Sequence, residues 1–467
     1  MFDRIVGLFS AALLTAGCSL PVETFRAAAY SEIARVQMAA GDPAGARETA
    51  QHAVAAITAT DAENERVFGI PAAAVAQVRA GDPEGAARAV ELADKDQTRV
   101  LGYAALALAL KESGYLPRAR AAATQALEIT LGSENDDDRD GMMVYAAWAQ
   151  GATGDIRSAL ANAEGIGRLQ KRDGLLALIA EAQLEAGDIA GARATAGIIG
   201  ESVEKIDDEA WLLSRIVRGM AVDPLAAFGD IMFHSEMPAK SIILTRIAIA
   251  QAQAGNSGGA RQSFVAAIDA AGGVGSSRAQ IRSIGTIALG RARTGDVTGA
   301  IGMLDDAERQ IANEEVSEET EPAVTAPILL QVVRNVIEGR TVVGDLSERA
   351  PDADNEDFVL GAMAHIRLGN ASQAADDLAA AAARMSGNDL SLVAAAYASL
   401  ADLRMSRHDS TGARAAAGQS LAIADRIAET IEDKVIGLFF AAVALARAGD
   451  IPLALEAAGR MQKPVSP

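Results

Sequence analysis

The sequence predicts an all-α protein, an α-solenoid of about twelve helical hairpins cut to one pattern. Three observations carry that prediction. Half of the 467 residues are hydrophobic but only 4% are aromatic, and the apolar half is dominated by alanine, the strongest intrinsic helix former. A glycine turn followed by Asp or Asn recurs along the chain, and alanine stands at two fixed offsets from every such turn. Length alone would suggest about three domains, but self-similarity at a fixed period points to one stacked architecture instead.

Met1 to Gly17 reads MFDRIVGLFSAALLTAG, a charged start followed by an apolar run from Ile5 to Ala16. That run is too short to span a bilayer but suits the core of a signal peptide, so residues 1–17 are expected to be removed. Leu14-Thr15-Ala16-Gly17-Cys18 resembles the bacterial lipobox, with Thr15 where Leu is usual. Cys18 is the only cysteine and has no disulfide partner to serve, so it is the expected lipidation site, followed by a linker over 18–24. At about 0.8 kcal/mol per buried methylene, more than one acyl chain holds a protein durably on a membrane. Ser19 after the cysteine resembles the signal for outer-membrane retention. No later stretch has about 18 unbroken apolar residues.

From residue 25 to 463 the regular turns fall at Gly41, Gly81, Gly114, Gly154, Gly187, Gly255, Gly295, Gly369, His408 and Gly449. The next residue is Asp or Asn in nine of the ten, with Tyr115 the exception. Glycine accepts the left-handed conformation that ends one helix, and Asp or Asn caps the N–H groups that open the next. Alanine stands five residues after each turn (Ala46, Ala86, Ala119 and equivalents) and seven before it (Ala34, Ala74, Ala107 and equivalents). Helices approach closely only where side chains are small, so these columns mark the contact inside a hairpin. Eleven residues before the turn stands a large apolar side chain such as Tyr30, Ile70 or Phe358, expected to fill the space between hairpins. With this ruler, degenerate repeats appear over 205–236, turning at Val222-Asp223-Pro224, and over 323–352, turning near Gly339.

The order large apolar, small, glycine turn, alanine resembles the tetratricopeptide repeat, which implies a right-handed superhelix of hairpins. Two departures matter: the proline that commonly closes such a repeat is missing, and the column four residues before the turn holds Gln37, Gln77, Gln150, Gln183 and Gln251. A buried glutamine needs partners, and bonds between neighbouring repeats are expected to supply them.

The formal net charge of -20 opposes nucleic-acid binding, because an acidic surface repels a polyanion. No catalytic constellation stands out. His52, His234, His365 and His408 lie in different repeats, and there is no phosphate-binding glycine loop. Asp136, Asp138 and Asp140 match the first half of a D-x-D-x-D-G calcium loop, but its twelfth position, where a bidentate Glu is expected, is Ala147. The favoured reading there is a solvated acidic loop ahead of a helix, with calcium the only candidate cofactor. A second acidic loop is expected over 312–327. A basic residue falls fifteen positions before seven turns (Arg26, Arg66, Arg99, Arg139, Arg172, Lys240, Lys434); it reads as a cationic edge for an anionic surface or, in preference, as charge set against helix C-terminal carbonyls.

If the resemblance holds for geometry, the first helices pass Leu108, Val144, Trp148, Leu212, Ile249, Leu289 and Val443 along a concave, apolar groove that suits an extended peptide or a partner helix. The expected function is a scaffold or adaptor in the cell envelope, facing the periplasm from the outer membrane, bound to it by lipidated Cys18. Its expected partner is a protein or peptide, and it is not expected to be an enzyme. The alternatives are a helical enzyme acting on an envelope polymer and a calcium-dependent binding module.

Overall fold

The structure, a computed structural model, describes residues 22–60, 63–133, 136–200, 222–226, 237–272, 278–313, 322–342, 355–427 and 431–461. Among them regular structure is helical throughout, with no strand. Hairpins pair α1 (Val22–Ala39) with α2 (Pro43–Thr58), α3 (Glu63–Arg79) with α4 (Pro83–Val90), α5 (Asp96–Glu112) with α6 (Leu116–Gly132), and α7 (Asp136–Ala152) with α8 (Ile156–Glu164). They continue as α9 (Leu169–Glu185) with α10 (Ile189–Ile198), α11 (Ala239–Gln253) with α12 (Ser257–Ala270), and α13 (Arg278–Arg293) with α14 (Val297–Asn313). After α15 (Pro322–Ile337) come α16 (Asn355–Leu368) with α17 (Ala371–Arg384), α18 (Leu390–Ser406) with α19 (Ser410–Arg426), and α20 (Ile431–Arg447) with α21 (Ile451–Gly459).

The turns explain why the helices end where they do. All ten turn residues take a positive φ, from 61° at His408 to 97° at Gly154, and Gly339 joins them at 72°. At the first turn Gly41 N–H bonds the Met38 carbonyl and Asp42 N–H the Gln37 carbonyl, which closes the helix end. Asp42 then caps α2 by accepting from Gly45 N–H at 2.9 Å. Here a residue type that the ruler missed matters. The capped amide belongs to glycine in six of the ten hairpins, and a Cβ at Gly45 would sit 2.2 Å from Asp42 Oδ2. Where the position carries a side chain, at Ser158 and Leu453, the cap bond lengthens to 3.2 Å.

The alanine columns are the hairpin contact. All twenty column alanines are buried, none more than 4% exposed. The glutamine column differs from expectation, because its bonds close inside the hairpin. Gln37 accepts from Thr49 at 2.8 Å, Gln150 from Asn162 at 2.7 Å, Gln183 from Thr195 at 2.7 Å and Gln251 from Ser263 at 2.8 Å. Each partner lies eight residues after the turn. In the Gly81 hairpin that position is Ala89, and Gln77 reaches instead to the Ala50 carbonyl of the preceding hairpin, at 3.4 Å. Where the first position is Leu110 or Leu445 the second is Ala122 or Ala457, while Arg291 and Arg404 face Met303 and Ala416, so an apolar first residue always meets an apolar second one.

Two compact units result, and they do not follow the order of the chain: one comprises Met1–Gly167, Glu209–Phe228 and Met385–Pro467, the other Arg168–Asp208 and Gly229–Arg384. In the first, α1 packs on α3, α3 on α5 and α5 on α7, while α18 packs on α20 and α20 on α1. The first hairpin therefore stacks on the last as though the two were consecutive repeats, with Phe25 edge-on to Phe439 at 5.4 Å between ring centres. In the second unit α9 packs on α11, α11 on α13, α13 on α15 and α15 on α16.

Boundaries shift at two places. Helix α1 begins at Val22, inside the expected linker. The expected acidic loop over 312–327 is helical at both ends, since α14 runs to Asn313 and α15 opens at Pro322. Proline is favoured there because its missing N–H would lack an intrahelical partner anyway. Glu314 to Glu321, Cys18 and most of 205–236, including Trp211 and Leu212, lie outside the described residues.

Two substitutions test this packing by urea unfolding. Ala180, 0% exposed, has no room to grow, so Ala180→Leu is expected to destabilise by about 1–3 kcal/mol. Gln183→Leu strands the buried Thr195 hydroxyl and should cost about 1–3 kcal/mol; adding Thr195→Ala recreates the natural Leu110–Ala122 pair and should restore most of the loss. A double variant no better than the single would show that the two positions are not coupled.

Candidate functional site

The first unit gathers its charge around one carboxylate. Glu32 sits nine residues before its turn, where the other hairpins carry Ala72, Ala105, Tyr145, Leu178, Arg246, Thr286, Leu360, Ser399 and Phe440, and its side chain is 0% exposed. Three arginines meet it. Arg35, one turn further along α1, donates from Nε at 3.0 Å and from Nη2 at 2.6 Å, a two-pronged pair. Arg79, the last residue of α3, lies 3.1 Å from Oε2, and Arg447, the last residue of α20, lies 2.7 Å from Oε1. Burial by itself would raise the Glu32 carboxyl, but Arg79, then Arg447 and Arg35, outweigh it and hold the group well below the usual carboxylate range.

Arg447 draws in two further segments. Its Nη1 donates to Asp402 on α18 at 2.8 Å and its Nη2 to Asp223 at 3.0 Å. Burial opposes the Arg447 charge, yet Glu32, Asp223 and Asp402 together raise its proton affinity. Arg79 is less well matched: burial dominates and lowers its proton affinity despite Glu32, and Arg35 and Arg447 repel it. It donates to Ser31 Oγ at 3.0 Å and to the Val222 carbonyl at 3.3 Å. The degenerate turn at Val222-Asp223 is thus held by both buried arginines, and Asp223 also caps the amides of Leu225 and Ala226. Beside this network lies a cavity of 730 Å³, lined by Arg35, Arg79, Glu112, Asp223, Asp402 and Arg447 among others.

The second unit holds a smaller buried polar cluster. His365 and Asp377 occupy the same paired positions as Gln37 and Thr49, and both side chains are 0% exposed, with His365 Nε2 3.5 Å from Asp377 Oδ2. The Arg340 carbonyl lies 3.0 Å from Nε2 and the Asn370 amide 3.3 Å from Nδ1. Burial lowers the His365 pKa; the Arg340 carbonyl can only accept, so Nε2 donates to it, and Nδ1 faces the Asn370 amide. Both ring nitrogens are thus engaged within the fold. Asp377 meanwhile accepts from the Val342 amide at 2.9 Å.

The residues singled out in the sequence fall as follows. Asp136, Asp138 and Asp140 form the first turn of α7, where the backbone is helical and not the open winding of a calcium loop. No group of three or more His, Cys, Asp or Glu that could hold a metal ion occurs among the described residues. Leu108, Val144, Trp148, Leu289 and Val443 are buried and Ile249 is half-buried, while Leu212 lies outside the described residues. Three of the seven basic-column residues bond carbonyls just past helix ends: Arg139 donates to Ser133, which ends the preceding helix, at 3.1 Å, Arg66 to Leu92, and Arg26 to Met461 at 3.4 Å. Glu32 was missed, although a lone carboxylate in an otherwise mostly apolar column was the available signal.

No protein-family model matches the chain, and no curated protein matches it in sequence. No helix among the described residues is long and apolar enough to cross a membrane.

The Glu32 network predicts how stability follows pH. A carboxyl whose folded pKa is depressed stabilises fully above its unfolded value of about 4.3 and loses that contribution progressively as pH falls from there through the lower folded value. Glu32→Gln leaves buried arginines unmatched and should cost about 3–5 kcal/mol at neutral pH, with a shallower loss of stability on acidification than the wild type. Equal acid sensitivity in chemical denaturation of the two proteins would remove Glu32 as the source.

Proposed function

We propose that the chain is an envelope scaffold of tetratricopeptide type: a right-handed solenoid of about twelve hairpins, anchored by acylated Cys18 and binding a protein or peptide partner along its concave face. The observation that carries this reading is the repetition itself. Ten hairpins share one set of recurring residues, and those residues are turn, cap and contact residues. Repeat arrays of this kind spend their sequence on stacking and present long surfaces to other chains. The lipobox-like Leu14 to Cys18 and Ser19 support a place on the periplasmic side of the outer membrane. Ile249 is the most accessible of the described residues expected to line the groove.

The anchor and the partner are tested together by fractionating cells that express Cys18→Ser. The variant should move from the membrane fraction to the soluble fraction while still crosslinking to the protein captured by the wild type. Retention in the membrane fraction would refute the lipid anchor, and the absence of any specific crosslink in either form would refute the scaffold reading.

A further inference from the structure

One short stretch of chain is held by the Glu32 network without belonging to a regular hairpin. The first unit takes in Glu209–Phe228, although the chain on both sides of that stretch belongs to the second unit. Within it, Val222 to Ala226 reads VDPLA, the turn of the degenerate repeat, with valine where nine of the ten regular turns carry glycine. The segment is held in three ways. Its Val222 carbonyl accepts from Arg79 Nη2 at 3.3 Å, its Asp223 carboxylate accepts from Arg447 Nη2 at 3.0 Å, and Pro224 and Leu225 are buried. A main-chain acceptor, a carboxylate and an apolar anchor are the contacts by which a short peptide is recognised.

The place it occupies does not depend on it. Without the segment, Arg79 keeps Glu32 and Ser31, and Arg447 keeps Glu32 and Asp402, so neither buried guanidinium is left unmatched. The network is then one carboxylate short. Arg35, Arg79 and Arg447 stand against Glu32 and Asp402, while Glu112, the other acidic residue on the cavity wall, is exposed and pairs with none of them. Asp223 supplies the missing charge. The segment also leaves room beside itself: Val222 and Asp223 form part of the wall of the 730 Å³ cavity, Asp223 keeps 34% of its side chain exposed, and Ala226 is exposed. Few bonds hold it, and open space adjoins them.

We infer that Val222 to Ala226 is an internal ligand. It closes a docking site on the first unit for an acidic segment of a partner protein, one that presents an aspartate beside an apolar residue, and it gives way when that segment binds. This autoinhibitory contact is independent of the lipid anchor and of the concave groove, since none of the residues expected along that groove lines the cavity.

Fluorescence anisotropy of the full chain with a fluorescein-labelled, amidated Ala-Val-Asp-Pro-Leu-Ala peptide tests this. A tethered copy competes at an effective concentration of about a millimolar, so the wild type should bind the probe weakly. Asp223→Asn keeps an oxygen for the Leu225 and Ala226 amides but gives up the charge that Arg447 holds, and it should bind the probe about tenfold or more tighter than the wild type. Leu225→Ala, which keeps every charge and removes the apolar anchor, should shift the affinity the same way, so the outcome does not hang on one variant. The same peptide with asparagine in place of aspartate should bind neither variant. No saturable binding to either variant, equal affinity of the wild type and both variants, or equal binding of the asparagine peptide would overturn the inference.

Discussion

A carboxylate removed from water must be matched by charge, and the match that Glu32 requires determines how the first unit is put together. Burying an ion costs several kcal/mol unless hydrogen bonds and opposite charge surround it. Glu32 obtains them from Arg35 on its own helix, Arg79 on the next first helix and Arg447 near the other end of the chain. Because Arg447 in turn binds Asp402 and Asp223, three distant stretches of sequence converge on one carboxyl group. An apolar core would hold helices together without preference for one register. A guanidinium with three carboxylate partners restricts both register and neighbour.

This pairing answers a problem that every stack of hairpins faces. Terminal repeats expose an apolar face that internal repeats cover, and they usually need a polar cap. Here α1 and α20 cover each other, with Phe25 against Phe439 and Arg26 reaching the Met461 carbonyl. The two chain ends behave as one more junction between repeats. The same convergence brings the ends of four first helices to one place and leaves the charged cavity between them.

The parts of the fold legible in the sequence are those set by constraints local to one hairpin. A left-handed turn admits few residues and a close helix contact admits only small ones, so glycine and alanine mark their positions wherever the hairpin recurs. Gln183 was recognised as a buried polar residue, but its partner was sought in the wrong hairpin, because the position eight residues after the turn had not been read as a column. Thr49, Asn162, Thr195 and Ser263 in that column supply the partner inside the hairpin, and where the column holds Ala89 the glutamine reaches the preceding hairpin instead. His365 and Asp377 are the same pair in another form. The Glu32 site was not legible for a different reason. The residues it gathers, at 79, 223, 402 and 447, are separated by most of the chain, and no period links them; the one sign is a lone carboxylate in a column otherwise apolar but for Arg246, Thr286 and Ser399. The aspartates at 136–140 fit two patterns at once, since acidic residues at a helix start and in the first half of a calcium loop share a spacing.

Amide hydrogen exchange of the full chain, resolved by mass spectrometry, tests most directly whether the first and last hairpins close on each other. A terminal hairpin with a free face frays and exchanges ahead of the interior. Closure through Glu32 and Arg447 predicts that amides in Val22–Ala39 and Ile431–Arg447 are protected as strongly as those in Asp96–Glu112, an interior helix of the same unit. Rapid exchange in Val22–Ala39 and Ile431–Arg447, with Asp96–Glu112 still protected, would contradict it.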